Sequence, residues 1–237
     1  MIYLMLLAHL LGDYVLQSTA IVRWKSRSAA GVLAHAGIIT LTNLILVLIV
    51  APSWWAYALL IGLSHAAIDL LRARYLRARD TAWELALYLL DQAAHLSIIF
   101  LITSFGPAPE LSSLESPFRF LADQRILLYA IGYLLLINPA WVFLRFTVRG
   151  LWGADAAPTL EEGEKYGPMV ERVLIATCVL TGQVCIAPFI LFPRRLYSLW
   201  NQGEEVGIVF RMTSHRAETL LSIALAISVG LILRFVG

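Results

Sequence analysis

Residues 30–50 read Ala30-Gly-Val-Leu-Ala-His35-Ala-Gly-Ile-Ile-Thr40-Leu-Thr-Asn-Leu-Ile45-Leu-Val-Leu-Ile-Val50. The run contains no Asp, Glu, Lys or Arg, and as an α-helix it rises about 31 Å, enough to cross the hydrocarbon core of a bilayer. Its one titratable side chain is His35. An ionisable group in a lipid-spanning helix is costly, so it turns inward and marks function more often than packing. Whole-chain composition agrees. Hydrophobic residues make up 59% and charged residues 14%, with a mean hydropathy of +0.76. A soluble domain carries roughly a quarter charged residues, so this chain cannot cover a water-facing surface and reads as an integral membrane protein. A net charge of +2 is too small to argue for a nucleic-acid partner.

Six further apolar runs of membrane length lie at about 2–17, 54–71, 82–104, 125–146, 169–192 and 216–235. The expected fold is therefore an all-α bundle of about seven spans. It divides into a four-helix core (1–104), an extracytoplasmic loop (105–124) and C-terminal membrane helices with cytoplasmic loops (125–237). Trp54, Trp55 and Trp83 stand where interfacial anchors belong, and Pro139 and Pro188 predict kinks. Cys178 and Cys185, in the sixth run, read as inert buried thiols. Loop charges set the orientation. Arg23, Lys25 and Arg27 in the first loop, and Arg72, Arg74, Arg77 and Arg79 in the third, place those loops in the cytoplasm. Glu110, Glu115 and Asp123 mark the fourth as external. Arg194, Arg195 and Arg211 break this pattern, so either the sixth run is re-entrant or the last two spans are misplaced. The basic run 72–79 also suits lipid phosphate at Arg72, Arg74 and Arg77.

The first four spans carry four of the five histidines, as His9-x3-Asp13, His35, His65-x3-Asp69 and Asp91-x3-His95. Residues four apart share a helical face. Counted at 1.5 Å per residue from the cytoplasmic face, their depths are roughly 13 and 7 Å for His9 and Asp13, and 8 Å for His35. The same count gives roughly 9 and 3 Å for His65 and Asp69, and 14 and 20 Å for Asp91 and His95. Spans one and three run inward and two and four outward, so the agreement of all but His95 points to one shared site. A lone intramembrane His is as often a helix-to-helix hydrogen bond as a ligand; the set at matched depth is what argues for a metal centre. Its ligands are His9, Asp13, His35, His65, Asp69, Asp91 and His95.

Imidazole with carboxylate is the ligand set of zinc, iron or manganese, and zinc, as one or two ions, is the expected cofactor. Such an ion acidifies water, and Asp13, Asp69 or Asp91 then serves as ligand, general base or support for an imidazole. Ser64 is a candidate nucleophile or donor. Gln17 and Lys25 are placed to meet a headgroup, and Glu171-Arg172 to form an ion pair. His215, beside Arg216, belongs at an interface.

The run His9-Leu-Leu-Gly-Asp13-Tyr-Val-Leu-Gln17, with His35, Ser64-His65-Ala-Ala-Ile-Asp69 and Asp91-Gln92-Ala-Ala-His95, resembles a family of bacterial polytopic inner-membrane proteins. That family is catalogued as domain of unknown function 3307. The resemblance covers residues 1–104 and, more loosely, 167–183. It implies a multi-pass protein of the bacterial inner membrane and supplies no reaction. From the residues themselves, the expected function is a metal-dependent hydrolase acting on a lipid or lipid-linked substrate near the cytoplasmic leaflet. The alternative is a proton-coupled or metal-ion transporter using the same cluster; a bis-histidine haem or a scaffold are lesser readings.

Overall fold

In lipid the backbone must satisfy its own hydrogen bonds, so apolar runs of this length become helices. A computed structural model describes residues 1–75, 80–109, 118–156, 166–191 and 208–236, with side chains from 217 onward in the last stretch. Every regular element among them is helical: α1 Ile2–Leu10, α2 Thr19–Lys25, α3 Ala29–Val50, α4 Trp55–Tyr75, α5 Thr81–Phe105, α6 Gln124–Leu136, α7 Asn138–Trp152, α8 Tyr166–Leu180, α9 Ala187–Ile190 and α10 Ile208–Val236. Five helical stretches are long and apolar enough to cross a membrane, or six if a bent pair at the N-terminus counts as one span. Arg77, Arg79, Glu110, Glu115, Arg194 and Arg195 lie outside the described residues, as do the side chains of Arg211 and His215.

The chain forms two compact units. The first comprises Met1–Arg79 and Ala86–Ile131. Its helices are inside-out by soluble standards. On α3, Leu33, Leu41, Ile45 and Leu48 are all at least half exposed, while Val32, His35, Ala36, Ile39, Asn43 and Val47 are buried. That exposed apolar face suits lipid. Small residues bring the backbones close. A Cβ at Gly62 would overlap the Thr40 side chain, and one at Gly12 would overlap Ile39. Beyond Leu10, α1 widens into a π turn over Leu11–Val15, with the Leu16 amide donating to the Leu11 carbonyl five residues back at 2.8 Å. The chain then bends by 91° into α2, which buries none of its residues. Trp54 is not an interfacial anchor: it is 1% exposed, packed beside Gly106, whereas Trp55 and Trp83 stay exposed.

The second unit comprises Asp80–Leu85 and Gly132–Gly237. Leu136, Ile175, Ala176 and Ala226 form its core. At Pro139 the helix is interrupted at a single residue, Ile137: α6 stops at Leu136, and α7 restarts with Pro139 in its first turn, where the missing N–H costs nothing, the two together making one stretch of membrane length. The expected span 169–192 is not one helix. Helix α8 ends at Leu180 because Gly182 turns the chain at φ +78°, and its 15 residues rise only about 22 Å. Cys185 follows in a 3-10 turn and is exposed, and Cys178 is half-buried, so neither thiol is sealed in a core as expected.

Candidate metal centre

Four helices of the first unit each turn one polar face inward. The buried positions of α4 are Ala58, Ile61, Gly62, His65 and Asp69, and those of α5 include Tyr88, Asp91, His95 and Ile99. On both helices the spacing of three and four is a single stripe. The seven side chains expected at a metal centre all meet there. His9, His35, His65, Asp69, Asp91 and His95 are buried, and the Asp13 side chain is 9% exposed.

They are layered. The four imidazoles form the middle layer. One turn away on three of the helices sit Asp13, Asp69 and Asp91; the equivalent position on α3 is Gly31. One turn the other way sit Met5, Ile39, Ile61 and Ile99, all no more than 3% exposed. His95 therefore belongs with the other imidazoles, and its separate sequence depth needs correction. Helix α4 runs to Tyr75 rather than residue 71, so His65 lies about 15 Å from its basic end, much nearer to His95 than the sequence count implies. The rings of His65 and His95 have centroids 4.1 Å apart, and that of His9 lies 5.6 Å from His95.

Donor atoms converge most closely around His65. Its Nε2 is 3.1 Å from His35 Nε2, 3.5 Å from Asp13 Oδ1 and 3.4 Å from Asp69 Oδ2. His35 Nε2 is 2.9 Å from Asp13 Oδ1 and 3.9 Å from Asp69 Oδ2. Ligand atoms around a tetrahedral ion with bonds of about 2 Å stand roughly 3.3 Å apart, so the spacings among His35, His65 and Asp69 suit one zinc-class ion. Two facing imidazole nitrogens cannot both carry hydrogen, so at least one lone pair points into the space between them. The Gln17 amide lies 3.3 Å from His35 Nδ1. Ligation through Nε2 requires that amide to present its oxygen, rather than the nitrogen that lies there, to Nδ1–H.

A second group of atoms is left over. His95 donates from Nδ1 to the Asp91 carbonyl at 2.8 Å, so its Nε2 is a bare lone pair. That atom, His9 Nε2, Asp91 Oδ1 and Asp69 Oδ1 are all buried without a hydrogen bond among the described residues. Each such orphan costs about 1–3 kcal/mol. Four of them would consume much of a typical stability of about 5–15 kcal/mol, unless a bound cation satisfies them. Three overlapping sets have ligand atoms within 4.8 Å of one another: His9, Asp13 and His65; His35, His65 and Asp69; Asp69, Asp91 and His95. His65 and Asp69 are each shared, an arrangement that accommodates one or two ions.

Several partners were not foreseen. Lys25 Nζ pairs with Asp69 Oδ2 at 2.6 Å, and Arg72 Nη1 with Asp91 Oδ2 at 3.0 Å. Tyr14 and Tyr88 share a hydrogen bond of 2.9 Å between their hydroxyls. The signal for Tyr88 was its place three residues before Asp91 on the same face. Ser64 Oγ donates to the Leu60 carbonyl at 2.7 Å, the usual bond of a helical serine, which leaves its proton facing no base. Arg74 lies over the Tyr75 ring. No curated protein and no solved structure matches the chain. A family model described as a protein of unknown function, DUF3307, matches residues 1–122, which hold every side chain of this centre, and the chain belongs to that family.

Proposed function

We propose that this protein is a membrane-embedded, metal-dependent hydrolase that cleaves a lipid or lipid-linked ester near the cytoplasmic leaflet of the bacterial inner membrane, with seven spans in all. The supporting observation is the layering. Beyond the imidazoles, Met5, Ile39, Ile61 and Ile99 close the bundle with apolar side chains, while the carboxylate side meets Lys25 and Arg72. A cluster that meets partly exposed cations at one end and apolar side chains at the other suits an enzyme; a transporter needs a polar route to both faces.

Zinc, as one or two ions, supplies Lewis acidity that acidifies water and steadies developing negative charge. The chain does the rest. His9, His35, His65 and His95 hold ligand positions, and Asp13 and Asp69 complete them. Asp91, grouped with Asp69 and His95, serves both as a ligand and as the base that takes a proton from water. Water's oxygen bonds to the acyl carbon or phosphorus as the bond to the alcohol oxygen breaks. The proton taken from water ends on the released alcohol.

The test is hydrolysis of acyl-ester and phosphoester lipids by purified protein, with and without a chelator, beside metal uptake into proteoliposomes. Chelator-sensitive turnover that falls by about 10² or more in Asp91→Asn is the expected result. Metal uptake without turnover would overturn it in favour of transport.

A further inference from the structure

Two cations stand at the carboxylate side of the centre. Lys25 ends α2, and Arg72 lies in the last turns of α4. Each holds one carboxylate, Asp69 and Asp91 respectively, and these two carboxylates have ligand atoms within 4.8 Å of each other. The carboxylates are almost completely covered, at 0% and 5%, but the cations are not: Lys25 is 23% and Arg72 33% exposed. An ammonium has three N–H donors and a guanidinium five. One ion pair apiece leaves most of these donors, on partly exposed side chains, unused by a carboxylate. Two such cations, each anchored on a buried acid of one cluster, match an anion rich in oxygen acceptors, which is phosphate.

The surroundings say how that phosphate arrives. Val22 and Trp24 on α2 are both 49% exposed, and Leu71 and Tyr75 on α4 are 57% and 67% exposed. The cations are thus set in an apolar rim, as an amphiphile with a phosphate head requires. Gly31 fixes the position of Lys25. A Cβ there would overlap the Trp24 carbonyl and the Lys25 backbone nitrogen, so only glycine lets α2 end against α3.

We infer that Lys25 and Arg72 form a phosphate-binding pair at the mouth of the His/Asp centre. The inference rests on the hydrolase reading for its place in a reaction and narrows the substrate to a phosphate-bearing ester. The pair binds and positions; it moves no proton.

The test uses the full-length protein in detergent, with metal content measured on the same sample. Binding of short-chain phosphatidic acid, the matching diacylglycerol and inorganic phosphate is followed by calorimetry. Phosphatidic acid is expected to bind at least about tenfold tighter than diacylglycerol, the worth of one charge-assisted hydrogen bond. Lys25→Gln and Arg72→Gln should each weaken it about tenfold at wild-type metal content, and Arg72→Lys should restore most of the loss. Competition by inorganic phosphate means the pair reads the free anion as well; no competition assigns it to lipid-borne phosphate. Equal binding of phosphatidic acid and diacylglycerol overturns the pair, and so does wild-type affinity in both Gln variants. If a Gln variant fails to fold, Arg72→Lys and the two-lipid comparison on wild type still decide. A metal-free wild type would sink the hydrolase while leaving phosphate affinity to judge this proposal separately.

Discussion

The two units handle buried polar atoms in opposite ways. In the second, the break between α6 and α7 leaves the Leu136 carbonyl without a helix amide, while the Ile137 carbonyl accepts one from Trp141 at 3.2 Å. Arg172, only 1% exposed, donates Nε to Leu136 at 2.6 Å, Nη2 to Ile137 at 3.3 Å and Nη1 to Ser222 Oγ at 3.2 Å. A charged side chain there closes a backbone wound, using protein groups alone. In the first unit, four helices, one of them widened into a π turn at Asp13, carry seven titratable side chains whose facing atoms are left open at His9, His95, Asp69 and Asp91. Burial of charge is common to both. What differs is the clustering: the second unit leaves a lone indole N–H at Trp141, whereas the first gathers several open imidazole and carboxylate atoms in one place, and such a cluster implies an outside cation.

The largest expected effect that sharpens this contrast comes from Arg172→Met. Removing the donor orphans the Leu136 carbonyl and strips a bond each from Ile137 and Ser222, which should cost about 3 kcal/mol or more in all, read as a lowered unfolding midpoint in detergent. Metal content of the surviving protein should not change. Loss of metal without loss of stability would break the contrast. Chelation comes next. If a cation satisfies the first unit, stripping it should remove about 3–4 kcal/mol, as for a ligand held at 100 to 1,000 times its Kd. His65→Ala should show no such response, while Arg172→Met should keep it. A smaller effect attends Gly31→Ala, where the new methyl meets backbone rather than a yielding side chain. About 2 kcal/mol of overpacking is expected, together with weakened phosphate binding as Lys25 moves from Asp69. Unchanged affinity in a folded Gly31→Ala protein would detach Lys25 from the site.

The convergence of the seven side chains was legible because it needed only helical spacing and alternating helix direction. His9 and Asp13, His65 and Asp69, and Asp91 and His95 share faces by periodicity, and His35 stands alone in an uncharged run. Their partners were less legible. Arg72 and Lys25 look like ordinary loop cations in sequence, since a helix continuing past its apolar run, as α4 does to Tyr75, leaves no mark. The same unseen extension made His65 too shallow in the sequence count and so set His95 apart from it. Hydropathy over 169–192 could not register that one glycine, Gly182, ends α8 after 15 residues. Trp54 was misread for a related reason: composition places an aromatic at an interface but does not reveal that Gly106 leaves a space for it to enter the core. Glu171-Arg172 suggested an ion pair within or between helices. What the sequence did not suggest is that Arg172 also donates to the Leu136 and Ile137 carbonyls, beside the interruption at Pro139.

Elemental analysis of the purified protein, wild type beside His65→Ala and Asp91→Ala, bears most directly on the centre. One or two zinc-class ions per wild-type chain, lost from both variants while they remain folded and monodisperse, is the result expected from the geometry around His65 and Asp69. A wild-type chain carrying no stoichiometric transition metal, or variants retaining it in full, would contradict it.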